Sequence, residues 1–146
     1  MNFDQAEESI RAYIEAQWAL SAYEDVKIFW ENEDWIEGTD TFVYVDIQGV
    51  FAEKTIFGST GKRMSVEHGI VFPHAFTPKG IGKSLARNLV VTLTQILEIK
   101  TIAEFIDLEG GAPPSPVEDD SLINGQPGGN YFRCSGSIPF IVRSSI

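Results

Sequence analysis

At 146 residues and 43% hydrophobic content, the chain is long enough for one domain with a proper core and too apolar to be mainly disordered. It has no apolar run long enough to span a bilayer, and its acidic opening, MNFDQAEES, lacks the basic, apolar and small-residue order of a signal peptide, so a soluble intracellular protein is expected. A net charge of −10 argues against nonspecific binding to duplex DNA, which needs clustered Lys and Arg to displace counterions.

Phe3, Ala6, Ile10, Tyr13, Ile14 and Trp18 fall three and four apart, which predicts an amphipathic helix over 4–20. Asn2 or Asp4 can cap it, and Glu7 and Glu8 suit the positive end of its dipole. Residues 27–35, KIFWENEDW, read as extended and irregular. TFVYVDIQGVFAE follows, with Val43, Val45 and Ile47 opposing Phe42, Tyr44, Asp46 and Gln48; this is a strand, and Gly49 marks a bulge or bend in it. EKTIFGSTGKR (53–63) reads as a hairpin arm with its tip at Gly58–Gly61, returning antiparallel into a strand from Met64 to Phe72. There Met64, Val66, His68, Ile70 and Phe72 alternate with Ser65, Glu67, Gly69 and Val71, the period-two signature of a strand with one face buried.

Pro73 and Pro78 bracket an expected turn, since proline cannot donate to a sheet ladder. Ile81, Leu85, Leu89, Leu93 and Ile96, widened by Ala86, Val90 and Leu97, then give a helix with a broad apolar stripe. Residues 100–109 read as one strand with Ile102, Ile106 and Leu108 on one face. Residues 110–130 carry so much Gly and Pro that a long loop is expected. The last run, YFRCSGSIPFIVRSS, alternates as a single strand, with Pro139 placing it at an edge or a bulge. The expected fold is one α+β domain over 1–146: a two-layer sandwich, mainly antiparallel, with two helices on one face of the sheet, in the order α-β-β-α-β-β.

Charge is unevenly spread. Residues 1–53 carry −11, residues 54–103 carry +5 and residues 104–146 carry −4. Such a split suits a surface that meets a different surface of an identical copy, the heterologous contact that generates rings or filaments.

Several groups invite chemistry and fall short of it. PKGIGKS (78–84) looks like a phosphate loop before a helix, but that motif needs a glycine where Thr77 stands. His68 and His74 lack further ligands at zinc spacing and read as a sheet-face and a turn histidine. Asp46, Glu53 and Glu67 are carboxylates with nothing local to raise a pKa. Cys134, the lone cysteine, cannot form an intrachain disulfide, fits a reducing compartment and reads as a small core residue. Trp18 reads as core; Trp30, Trp35 and Phe29 read as packing of the N-terminal segment on the sheet. No catalytic residue, cofactor site or metal site is expected, and the chain reads as a structural or binding part instead of an enzyme.

Taken in order, the helix with Tyr13 and Trp18, IFWENED, VYVDIQG, SVEHGIVF followed by P-x-G-x-G and a helix, and YFRCSGSIPFIV resemble the tail-terminator-like proteins of siphophages and related prophages, the group around the lambda-type tail terminator. The likeness covers about residues 5–143 and rests on the order and character of segments. It implies a homohexameric ring docked on the head-proximal end of the tail tube. That ring would stop tube polymerisation and meet the head-completion or connector proteins, with DNA only as cargo through the channel and no membrane partner. Location would be the virion tail, after synthesis in the host bacterial cytoplasm. Lys54, Phe57, Lys62 and Arg63 on the arm, with Glu33 and Asp34 in the acidic turn, are the candidate assembly contacts. The arm and the loop 110–130 are expected to project from opposite ends of the subunit, one toward the tube and the other toward the connector. The loop is where this chain departs from the resemblance. Alternatives are another neck or head–tail joining protein, a small-ligand or nucleotide-binding module using the Gly80–Ser84 turn, and a standalone bacterial binding module.

Overall fold

The computed structural model describes residues 3–30, 41–57, 62–78, 84–103, 105–117 and 131–145. In chain order these form α1 (Phe3–Trp18), β1 (Lys27–Trp30), β2 (Phe42–Phe57), β3 (Lys62–Pro78), α2 (Ser84–Leu97), β4 (Thr101–Ile102), β5 (Ile106–Leu108), β6 (Ser115–Val117), β7 (Tyr131–Ser135) and β8 (Ile138–Ser145). The strands make one eight-stranded sheet in the order β1-β2-β3-β8-β5-β4, with β7 continuing beside β3 and β6 beside β7. All pairs are antiparallel except β1 with β2. The fold is α+β, as the sequence implies.

β3 is the spine of this sheet, and it runs straight through the expected turn at Pro73. Pro73 stands opposite Gly136 and accepts its N–H at 3.0 Å. A hydrogen-bonded antiparallel pair normally exchanges two bonds; proline supplies the acceptor only, and the missing donor falls at the gap between β7 and β8. Those two strands keep a single register along β3, from Met64↔Ser145 to Pro78↔Tyr131. The expected final strand is therefore one path with a one-bond defect. Pro139 does not lie at a sheet edge, because β8 has β3 on one side and β5 on the other. It sits where the β5 ladder stops: its carbonyl accepts the Glu109 N–H at 2.9 Å.

β3 has one face buried, as its alternation implies, and it is the face with the smaller residues. Gly69, Val71, Pro73, Ala75 and Thr77 are buried, whereas Val66, His68, Ile70 and Phe72 are only partly so. Register explains this. Val43, Val45 and Ile47 of β2 stand opposite Ala75, Pro73 and Val71, and Ile138 and Cys134 stand opposite Val71 and Ala75. That row faces the helices. The ring of Phe3 lies over Gly49, Val90 and Thr94 of α2 face Gly136, and Ala6, Ile10, Ile14 and Trp18 join Leu89, Leu93 and Leu97 in one core. Larger side chains from neighbouring strands fill the space that the small residues of β3 leave. The opposite face carries a smaller cluster in which Phe42 stacks on Phe76 at 4.8 Å and meets Phe29 edge-on at 5.5 Å.

Three further expectations change. KIFW is a regular strand parallel to β2, with Trp30 buried. Residues 100–109 fold back on themselves, Ile102 against Ile106, with Ala103 in the left-handed region at φ 53°. Ile102, Ile106 and Leu108 still share the buried side. Ile99, 80% exposed, ends α2 at φ 54°, a conformation costing about 1–2 kcal/mol for an L-residue. The Pro- and Gly-rich stretch contains β6, paired with β7; residues 118–130 lie outside the described residues. The bulge expected at Gly49 is present, with the β2–β3 register shifting between Gly49 and Phe51.

Gly69 is the tightest point of the spine. A β-carbon there would sit 2.8 Å from the Gln48 carbonyl oxygen and inside the ring of Phe140, itself 1% exposed. Gly69→Ala is expected to cost about 1–3 kcal/mol by overpacking, read as a lower urea midpoint. Adding Phe140→Leu to that chain is expected to recover part of the loss. An unchanged midpoint would mean the ring does not lie over this strand.

Candidate functional site

Among the described residues the β2–β3 ribbon outruns its helical cover. Phe3, the first residue of α1, lies over Gly49 and packs against Phe140 at 5.9 Å between rings. Beyond that level β2 continues to Phe57 and β3 extends back to Lys62, with β8 alongside as far as Ser145. At about 3.3 Å per residue the extension reaches about 20–25 Å. Of the sequence-derived contact residues, four share this arm: Lys54 opposite Ser65, Arg63 opposite Ile56, and Phe57 opposite Lys62. Glu33 and Asp34, with Trp35 and the tip Gly58–Gly61, lie outside the described residues.

At the base of the arm the bulge turns two large apolar side chains outward: Val50 is 57% exposed and Phe51 52%. Phe51 stacks on His68 at 4.1 Å, and His68 Nε2 lies 3.9 Å from a Glu53 carboxylate oxygen. An open depression of about 240 Å³ lies here, lined by Phe3, Gly49, Val50, Phe51, Glu67 and His68, with Ala52 at its edge. That is below the usual span of about 300–1,000 Å³ for small-molecule pockets and fits one or two side chains.

Glu67 lines it, and Asp4 and Glu7 share the start of α1 with Phe3. Glu7 is one helical turn from Phe3, so both project from one side of α1. Burial first, then repulsion from Asp4 and Asp46, holds its carboxyl above the ordinary range. Asp46 accepts a 2.6 Å hydrogen bond from Gln48 Nε2 through one oxygen; its other oxygen is buried without a hydrogen-bond partner among the described residues. The sequence signals an acidic N-terminal third but not the placing of Asp4 and Glu7 near the bulge, which depends on α1 starting over it.

The remaining candidates are not brought together. His74 is a strand residue, not a turn residue, and it shares a 2.6 Å hydrogen bond through Nδ1 with Ser135 Oγ, its cross-strand neighbour. His68 lies on the same face six residues away. Among the described residues no group of three or more His, Cys, Asp or Glu could hold a metal ion. Asp46, Glu53 and Glu67 stand opposite Phe72, Val66 and Ala52, which puts Glu67 on the other face from Glu53. Cys134 is buried, and burial pushes its thiol up against the lowering effects of Arg87 and the Ser135 backbone. Thr77 is a fully buried strand residue, and residues 79–83 lie outside the described residues. Trp18 is core and donates its Nε1–H to the Val26 carbonyl at 3.0 Å. Among the described residues no helix is long and apolar enough to cross a membrane.

No protein-family model and no curated protein sequence matches the chain. A solved structure known only by a sequence label is similar to it over 97% of this chain and 96% of its own, with a TM-score of 0.64 at 10% identity. Identity that low shows a shared fold and nothing further.

His74 makes stability depend on pH. Burial, and secondarily the Arg133 cation, lowers its pKa from 6.5 to about 4. The fold therefore holds a neutral imidazole, and this contribution is complete above pH 6.5, then lost as pH falls toward about 4. The loss is on the order of 3 kcal/mol. Urea midpoints measured across that range are expected to fall, and His74→Asn, which keeps a partner for Ser135, is expected to flatten the fall. An equal fall in the variant would assign the effect to other groups.

Proposed function

We propose that this chain is a structural virion subunit: it closes into a ring, caps the head-proximal end of a phage tail tube, ends tube polymerisation and joins the tail to head-completion proteins. The order of its segments resembles the tail-terminator-like group. The observation that carries the reading is the β2–β3 ribbon running past its helical cover, with exposed Val50 and Phe51 at its base and Lys54, Lys62 and Arg63 toward its far end. Apolar side chains exposed beside a projecting ribbon gain most by being covered in an assembly. The separation of acidic and basic segments favours a head-to-tail contact over a two-fold one. A closed circle with surplus acid on its inner wall would let DNA slide through, since a wall of that sign releases no phosphate counterions.

The reading concerns assembly, so the test is assembly. Purified protein mixed with tail tubes is expected to appear by electron microscopy as a ring at one tube end and to stop elongation when tube subunits are added. Binding to the head vertex instead would make it a connector component. Deleting residues 57–62 is expected to abolish capping while the circular dichroism spectrum of the monomer is kept. Intact capping after that deletion would remove the arm from the mechanism.

A further inference from the structure

We infer that β7 is an acid-released latch: when His74 takes up a proton, β7 lifts from β3 with β6 on its far side, while β2, β3 and β8 keep their pairing. The inference does not depend on the ring reading.

Three observations carry it. The first is the cluster around His74. On the face of the sheet away from the helices, His74 of β3 stands opposite Tyr44 of β2 and Ser135 of β7. Its Nδ1 shares a 2.6 Å hydrogen bond with Ser135 Oγ, and the Tyr44 ring lies 6.2 Å from the imidazole. Phe72 and Phe76 flank it on its own strand. The charged residues in the adjoining rows are Arg133 of β7, paired with Phe76, and Asp46 of β2, paired with Phe72. β6 sets Ser115 opposite Ser135 and Val117 opposite Arg133, and it has no charged residue. The acid does not offset the setting: burial first, then Arg133, lowers the His74 pKa from 6.5 to about 4. A proton taken up here is relieved by water, and water has to enter beside a strand.

The second is the joint. Gly136 and Pro73 make one hydrogen bond where two are usual, and this weak rung lies where β7 passes into β8. β7 can part from β3 there without disturbing the β8 rungs, which begin at Val71 and Ile138. Alternation from the same rung leaves two hydrogen-bonded pairs to hold β7, Ala75–Cys134 and Thr77–Phe132. β2, on the other side of His74, is a strand of 16 residues paired to β3 from Phe42 to Phe57. Opening on the β7 side breaks far fewer bonds.

The third is what closure leaves unsatisfied. Arg133 Nε, on β7, and Thr77 Oγ1, opposite Phe132, are buried without a hydrogen-bond partner among the described residues. Lifting β7 lets water reach Arg133 and bares Cys134, which is 2% exposed and stands opposite Ala75. With the imidazole solvated in the open form, closure is fully favoured above pH 6.5 and loses ground as pH falls toward about 4.

Cys134 reports the opening in the full chain. Its rate of reaction with dithiodipyridine, a disulfide that still attacks thiols in mild acid, is divided by the rate for the urea-unfolded chain at the same pH, which removes the titration of the thiol itself. This ratio is expected to rise by about tenfold or more between pH 7 and pH 5. It is also expected to exceed the globally unfolded fraction, taken from urea unfolding at the same pH, and to stay nearly flat in dilute urea, because local opening exposes little surface. His74→Asn, which keeps a partner for Ser135 and cannot titrate, is expected to hold the rise to about twofold or less. Ser135→Ala, which loosens the strand and leaves the titrating group in place, is expected to raise the ratio at every pH and keep its slope. A ratio that does not rise with acid, that rises equally in His74→Asn, or that matches the globally unfolded fraction and climbs steeply with urea would overturn the latch. None of these outcomes bears on ring formation.

Discussion

β3 is hydrogen-bonded to β2 on one side and to β7 and β8 on the other along nearly its whole length, and the other elements take their places from that double ladder. The small residues on its helix-facing side let the sheet take large neighbours. Gly69 admits the Phe140 ring, Ala75 lies between Val43 and Cys134, and Pro73 meets Gly136 with one bond where two are usual. A proline inside a central strand is tolerated here because the partner chain has its own interruption at the same level. The arrangement leaves the cost at one missing donor and keeps the register intact.

The same ladder explains why the molecule is asymmetric along its length. α1 and α2 cover the half of the sheet running from Gly69 toward Pro78, with Phe3 at the boundary. Beyond it the ribbon has sheet neighbours but no described helical cover, and the bulge at Val50 bends it where the cover ends. A bulge beside an unpaired edge is a common means of limiting uncontrolled strand addition. Here it also leaves Val50 and Phe51 facing outward.

Much of this was legible in the residues. The stripe from Phe3 to Trp18, the stripe from Leu85 to Leu97 and the alternation from Phe42 to Gln48 each have one strong period, and each forms the element that period implies. Gly49 marked its bulge. The face of β3 was not legible, because Gly69, Pro73 and Thr77 do not look like core residues; they are buried by what their neighbours put over them. β4, β5 and β6 have two or three residues each, too few to show a period, and β5 and β6 also pair with strands much later in the chain. On the arm, the four basic and aromatic positions could be read as one hairpin. The hollow at its base could not, since it joins Phe3 to Glu67 across the chain, and neither residue stands out alone.

Whether another copy covers the far half of the β2–β3 ribbon, as the proposed ring requires, can be read from amide hydrogen exchange followed in dilute and in concentrated protein. Gly69–Thr77, with strands on both sides and helices above it, is expected to exchange slowly at both concentrations. The amides of Val50–Phe57 that do not bond to β3 are expected to exchange fast in dilute protein and to slow as the concentration rises. If those outward amides are as slow as the spine in dilute protein, or equally fast at every concentration, no second copy covers the ribbon.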